Sequence, residues 1–379
     1  MAGNLARRPD GRWRARYRDP AGKERARHFD RKADAQRWLA SAQTAISRGE
    51  WIDPAQSRVI VADWSRVWLA TKRHLKPRTR ESYESVLRIW VLPRWGNVPL
   101  IGVTHADVVA WVAEVRDQVS AAHTRHALLV LSQILRLAVR DGRLPRNVTD
   151  GVRKPRVPRA EQRFLTHAEV ARLASECRPP ADLLVLLLAF TGLRFGEVAA
   201  LRVRDIDLRR ARLTINWSLV EIIGGLHRDT PKSHKTRTVP IPVVLREPLA
   251  AYIDGRGGDD PLFTSTKGGP LRNSNFRHYV FDPAVNRAHL TPLTPHDLRD
   301  TAASLAVASG ATVKSVQRML GHASAAMTLD VYAGLFDAEL DDVADRMGEA
   351  AGGAFDAWHQ PRNDDDEGRD PAPDAAPKA

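Results

Sequence analysis

The chain has 379 residues, enough for two or three domains with real cores, and its single cysteine, Cys177, excludes a disulfide framework or a multi-cysteine zinc site. No apolar run can span a membrane, and the opening MAGNLARRPDGRW lacks the apolar stretch of a signal peptide, so a soluble intracellular protein is expected. The net charge of +13 is uneven: Asp337 to Ala379 holds 13 acidic and 4 basic residues, leaving +22 on the 336 residues before, and with 48 of 58 basic residues being arginine the expected partner is DNA or RNA.

In GRWRARYRDPAGKERARHF, Trp13, Ala15 and Tyr17 alternate with Arg12, Arg14, Arg16 and Arg18, which predicts a strand with one apolar face and one arginine face. Asp19-Pro20-Ala21-Gly22 has Asp, Pro and Gly where a type I turn favours them, and a second strand from Glu24 to Phe29 should pair back. RKADAQRWLASAQTAISRG reads as a helix stopping at Gly49, with Trp38, Leu39 and Ile46 to cover the apolar face of the hairpin. A charged row is ordinarily just solvated. Here no acidic residue interleaves with the four arginines, so residues 1–55 read as a small DNA-binding module.

Residues 56–150 follow a helical period. VIVADWSRVWLATKRHL, RTRESYESVLRIWVLPRW, HADVVAWVAEVRDQV and AAHTRHALLVLSQILRLAVRDG each repeat apolar residues at spacings of three and four. Thr104 with Asp107 makes an approximate capping box and Gly142 a stop, predicting a four-helix domain whose connections carry His74, Lys76, Arg78 and Arg80. Residues 151–162, with Arg153, Lys154, Arg156 and Arg159 among prolines, predict an extended basic linker. Residues 163–347 predict a last domain: a helix after Thr166, the apolar DLLVLLLAFTGL, strands near ARLTINWSLVEII and TRTVPIP, then more helices. The acidic, Pro/Ala-rich residues 348–379 are expected to be disordered.

Four stretches of the last domain concentrate unusual chemistry. TGLRFGE places Arg194 after the apolar helix, with Glu197 three residues on. TPKSHKTRTVP puts Lys232 in a connection before a strand, among Lys235, Arg237 and His234, which could equally serve only to solvate a hairpin. TPHDLRDTAASLAVASG predicts a helix with Thr294 as N-cap, Pro295 at its first position and Gly310 as stop, so His296 and Arg299 share a face at its electropositive start. Last come LGH, ending at His322, and LDVYAGL with Tyr332, with Ser324 as N-cap between them.

Each piece has an ordinary explanation: alone, Tyr332 would pack and an HxxR pair would be chance. Together they make a reaction. Two arginines can clamp a phosphodiester, histidines can relay protons, and a lysine among cations can protonate a departing alkoxide. Tyrosine becomes a usable nucleophile once cations favour phenolate. Metal catalysis needs converging carboxylates, and these motifs offer mainly Glu197, Asp297 and Asp300, each mixed with cations.

The order Arg194, Lys232, His296 with Arg299, His322, Tyr332 resembles the tyrosine recombinases, the integrase family of phages and mobile elements. The helical segment resembles that family's core-binding domain and the arginine hairpin its arm-site domain. The resemblance implies a multidomain, mainly α fold with small β-sheets and an α-rich mixed α/β catalytic domain. It implies Tyr332 as nucleophile forming a 3′-phosphotyrosine, Arg194, Arg299 and His322 stabilising the transition state, Lys232 as general acid, and His296 and Glu197 in support. It further implies no metal and no cofactor, double-stranded DNA attachment sites, a homotetramer exchanging C-terminal segments near Asp337–Arg346, a directionality factor or host DNA-bending protein as partners, and work at the nucleoid in the cytoplasm of a bacterial host. Many relatives carry a second histidine where this chain has Asp300, a departure that touches a supporting contact. A type IB topoisomerase-like enzyme and a catalytically silent DNA-binding regulator are the alternatives. The arm-type module argues against the first, and the complete set of six positions against the second.

Overall fold

A computed structural model describes residues 3–49, 51–158, 162–230, 236–337, 344–345 and 347–351. The chain forms two compact units, Met1–Ala160 with Ile222–Gly224, and Glu161–Glu221 with Gly225–Ala379. Both are mainly helical with small sheets, as the sequence predicts. Among the described residues no helix is long and apolar enough to cross a membrane.

The first unit opens with an antiparallel sheet ordered β1 (Asn4–Arg7), β2 (Trp13–Arg18), β3 (Glu24–Phe29), followed by helix α1 (Lys32–Ser47). The β2–β3 hairpin is the predicted one, and its turn is held by the Gly22 N–H donating to the Asp19 carbonyl at 2.8 Å. Strand β1 was not foreseen. Its four residues, NLAR, are too few and too polar to show alternation, and they add to the open edge of β2. Ala15, Tyr17, Ala35 and Leu39 are buried, with Trp13, Trp38 and Ile46 packed around them, so α1 covers the apolar face as expected. The arginine face is less purely cationic than the strand alone suggests. Glu24 lies opposite Arg18 and on the face of Arg14 and Arg16, to which its carboxylate pairs at 3.2 and 3.6 Å. Arg12 pairs with Asp30 at 3.2 Å, and Arg18 donates to the Gly22 carbonyl at 3.0 Å. Such exposed pairs contribute about 0–1 kcal/mol, so little free energy opposes trading a carboxylate for a phosphate.

The rest of this unit is a helical bundle: α2 (Val61–Ala70), α3 (Pro77–Val86), α4 (Leu92–Trp95), α5 (His105–Gln118) and α6 (Ala121–Arg140). Trp64, Trp68, Trp95 and Trp111 fill its core with the apolar stripe of α6, Leu128, Leu131, Ile134 and Leu135. The single helix predicted from Arg78 to Trp95 is interrupted by a wide π turn over Leu87–Val91, just before Pro93. Proline has no N–H to give the preceding turn, and widening the helix absorbs that loss. Helix α3 starts at Pro77, so Arg78 and Arg80 belong to its first turn rather than to a connection, where they pair with Glu81 at 2.9 Å and Glu84 at 3.1 Å. Lys76 is the half-buried N-cap of α3. Residues 152–158 form no helix or strand and leave Arg153, Lys154 and Arg156 exposed, while Arg159 lies outside the described residues.

The second unit runs through α7 (His167–Ser175), α8 (Ala181–Thr191) and α9 (Phe195–Ala199), then β4 (Ile206–Asp207), β5 (Arg212–Ile215), β6 (Ser218–Ile222), β7 (Gly225–Asp229) and β8 (Arg237–Pro240). Helices α10 (Val243–Ile253), α11 (Asn273–Phe276), α12 (Asp282–Arg287), α13 (Asp297–Ala308), α14 (Val313–Leu320) and α15 (Ala325–Asp337) complete it. Strands β4, β5 and β8 form one sheet and β6 with β7 another, so the predicted run ARLTINWSLVEII splits between two sheets. Helix α8 is apolar on nearly every face because nearly every face is buried, with Leu183, Leu184, Val185, Leu187 and Leu188 in the core and Leu186 and Phe190 half-buried against it. A second π turn, Arg277–Phe281, again precedes a proline, Pro283. Residues 347–351 are helical, beyond the point where an unstructured tail was expected to begin, and 352–379 lie outside the described residues.

Candidate active site

Helix ends aim most of the site. Helix α8 stops at Gly192, whose φ of +64° is cheap only for glycine. A Cβ there would sit 2.5 Å from Leu320 Cδ2, so the close approach of α14 also requires glycine. Two residues later Arg194 takes the N-cap position of α9, extended at φ −71°, ψ 146°. Its backbone N–H donates to Glu197 Oε2 at 2.9 Å and its Nη1 to Oε1 at 3.1 Å, which fixes the guanidinium on the first turn.

Glu197 is 1% exposed and serves a second arginine. Arg237, on β8, donates Nη1 and Nη2 to the two carboxylate oxygens at 2.8 and 2.6 Å, and its Nε to the Met319 carbonyl at 3.3 Å. Burial pushes the Glu197 carboxyl up, but the bonds and charge of Arg237, then Arg194, outweigh it and hold the group below the usual carboxylate range. In the sequence Arg237 looked able to serve as a solvating residue of a hairpin. Its side chain is instead 9% exposed. The missed signal was strand parity: Arg237 is two residues from buried Val239, hence on the inward face of β8.

Thr294 organises the start of α13 by donating its hydroxyl and backbone N–H to Asp297 Oδ2 at 2.9 and 2.6 Å. Regular helix begins at Asp297 rather than at Pro295 as predicted, so His296 and not Thr294 occupies the N-cap position, in αR conformation, one residue outside the helix, and is exposed. Arg299 is 2% exposed. Its Nη1 donates to the Gly192 carbonyl at 2.5 Å and its Nη2 to the Leu320 carbonyl at 2.6 Å, tying the ends of α8 and α14 together. Burial, and then the charge of Arg194, push this guanidinium down to about 9.

Helix α14 ends at Gly321, φ +67°, against the Arg237 side chain. The next residue, His322, is anchored by its N–H to the Gln317 carbonyl at 3.1 Å, and its Nδ1 lies 3.0 Å from Thr328 Oγ1. Burial, followed by the charges of Arg299, Arg194, Arg237 and His296, pushes the imidazole down to about 4, so it is neutral near pH 7. Ser324 lies 3.4 Å from the Met327 N–H, in the capping position predicted for it.

Tyr332, on α15, is 2% exposed between Phe164 and a parallel His322 ring at 6.4 Å. Its hydroxyl donates to Asp300 Oδ1 at 2.5 Å. Burial and that bond push the phenol above its ordinary range, against the pull of Arg299 and Arg194. The expectation that neighbouring cations favour phenolate is therefore corrected for this conformation, because desolvation and a carboxylate outweigh them. Lys232 lies outside the described residues. So do residues 338–343 and 346 of the segment expected to exchange between protomers. Among the described residues no three His, Cys, Asp or Glu side chains group as a metal site would.

Three family models match the chain: the Phage integrase family over residues 163–339, the Phage integrase N-terminal domain over 1–48, and the Phage integrase N-terminal SAM-like domain over 61–115. An integrase of Mycobacterium phage D29 is 31% identical over 369 residues, covering 92% of this chain and 97% of the relative. The chain belongs to the phage integrase family of tyrosine recombinases. It is a site-specific recombinase that cleaves and rejoins DNA. Solved integrases share its fold. A Tn1549 transposon integrase in complex with a circular intermediate DNA aligns with a TM-score of 0.64 at 21% identity, covering 72% of this chain and 95% of that one. A lambda integrase tetramer bound to a Holliday junction aligns at 0.58 and 22% identity, covering 86% and 96%.

Proposed function

We propose that this integrase inserts or excises a mobile element, such as a phage genome, through a 3′-phosphotyrosyl intermediate on Tyr332. The observation that carries the reading is the convergence on one phenol of a parallel His322 ring and the charges of Arg299 and Arg194. Arg194 and Arg299 offer N–H groups to the non-bridging oxygens of the scissile phosphate, the recognition guanidinium geometry favours. In the tautomer in which Thr328 donates to Nδ1, neutral His322 carries its proton on Nε2 and adds a third donor. Lys232, carried by sequence position, protonates the departing 5′ oxygen, and His296 assists at the phosphate. Glu197 positions Arg194 and Arg237 and stays ionised. The 5′-hydroxyl of a partner strand then attacks the phosphotyrosine. The ester is conserved throughout, so the exchange draws on no nucleotide hydrolysis.

The DNA contacts belong to the same proposal. The reading takes residues 1–55, 56–150 and 163–347 as arm-binding, core-binding and catalytic domains, supported by family-model matches over 1–48, 61–115 and 163–339. Arg12 beside the sheet and Arg14, Arg16 and Arg18 on it, Lys76 at the N-cap of α3 with Arg78 and Arg80 in its first turn, and Arg153, Lys154, Arg156 and Arg159 in the linker engage phosphates. A homotetramer on paired attachment sites, aided by a directionality factor or a host bending protein at the bacterial nucleoid, completes the reading. The strand polarity tests it. DNA trapped on denatured protein should carry the protein on its 3′ phosphate, and the cleaved strand's 5′ end should accept a kinase label without phosphatase. A protein-linked 5′ end would contradict it.

A further inference from the structure

We propose that Asp300 is the proton acceptor of the cleavage step, taking the phenolic proton of Tyr332 as the nucleophile bonds to phosphorus. This rests on the reading of Tyr332 as nucleophile. The phenol donates to Asp300 Oδ1 at 2.5 Å, the length of a strong O–H···O⁻ bond. Among the described residues no other contact to the phenol is so placed: His322 Nδ1 lies on Thr328, Glu197 is taken by Arg194 and Arg237, and Arg299 and Arg194 can only donate. Among the described residues the charged and titratable groups acting on the pair are Arg299 from α13, Arg194 from the start of α9, and His322 after α14, with the charges of Arg237 and His296 acting on His322. Asp300 lies in the first turn of α13.

A resting phenol is too weak an acid to give its proton to a carboxylate. Once its oxygen starts bonding to phosphorus it becomes a strong acid, and a base already hydrogen-bonded to it accepts without reorganisation. The step balances. The Tyr332 Oη–P bond forms as the P–O5′ bond breaks, the phenolic proton passes to Asp300 Oδ1, and the 5′ oxygen leaves as a hydroxyl with a proton from the general acid proposed above. In the rejoining step Asp300 returns its proton to the departing phenolate. Asp300 stands where the family resemblance led to an expectation of histidine, so this chain would fill that position with a different base.

The test is single-turnover cleavage by the full chain, on DNA recovered by covalent trapping, for wild type, Asp300→Asn, Asp300→Ala and Tyr332→Phe across a pH series. Both Asp300 variants should bind DNA normally and form covalent product about a hundredfold more slowly or worse. Their rates should climb with pH where the wild-type rate is level, and formate should partly restore Asp300→Ala but not Asp300→Asn. If Asp300→Ala misfolds, the near-isosteric Asp300→Asn and its pH profile carry the test. Cleavage by either variant at or above the wild-type rate overturns the proposal, as does a deficit indifferent to pH and, for a folded Asp300→Ala, to formate. Those results leave Tyr332 as nucleophile, whereas covalent product from Tyr332→Phe, or none from wild type, removes that reading and this proposal with it.

Discussion

Tyr332→Phe should bind DNA as the wild type does yet yield no covalent complex, with strand cleavage reduced by on the order of 10⁴-fold or more. The size follows from the site. In the proposed mechanism, removing Oη removes the atom that bonds to phosphorus, while Arg194, Arg299 and His322 remain to hold a phosphate that nothing attacks. The packing survives because phenylalanine keeps the ring between Phe164 and His322. What folding loses is the bond to half-buried Asp300, about 1 kcal/mol. Denaturing gels after incubation with DNA check the covalent product, and gel shifts check binding. The same pair of proteins separates the alternatives. A silent regulator would bind equally in both forms and never yield covalent product, and a topoisomerase-like enzyme would relax supercoils without exchanging strands.

Glu197→Ala should destabilise the second unit by about 3–5 kcal/mol, read as a lower denaturant midpoint. The carboxylate is 1% exposed, and its loss leaves Arg237, 9% exposed, and Arg194 without their shared anion. The cost is that of stranding buried charge, not the net worth of the ion pair. Acid should produce part of the same effect in the wild type. Because folding lowers the Glu197 pKa from an ordinary value near 4.5, its stabilisation is complete above about pH 4.5 and fades as pH falls through the lower folded value. The gap between wild type and Glu197→Gln should therefore narrow in acid. An unchanged midpoint for Glu197→Ala at neutral pH would contradict this account of the cluster.

The sequence showed whatever depends on period and local chemistry. Alternation from Arg12 to Arg18 located β2 and its two faces, and glycines at 49, 142 and 310 marked helix stops that the structure places at positive φ. Helix α8 was plain from its unbroken apolar run. What stayed hidden depends on pairing across the fold. Strand β1 becomes visible only once β2 offers it an edge, and Glu24 joins the arginine face only through the register of β3. The site divides the same way. Its six principal positions lay in recognisable motifs, five of them on described residues, whereas the buried role of Arg237 and the Asp300–Tyr332 bond join residues 40 and 32 positions apart from their partners. The expectation of a phenolate failed because counting nearby cations leaves out desolvation, which here is the larger effect.

The most direct measurement is mass spectrometry of the trapped complex. Wild-type protein recovered under denaturing conditions from cells carrying the element would be digested with nuclease and protease, and the modified peptide sequenced. The account predicts a nucleotide phosphate on the peptide containing Tyr332, joined through the phenolic oxygen. A nucleotide on any other residue, or none on protein that binds DNA normally, would contradict it.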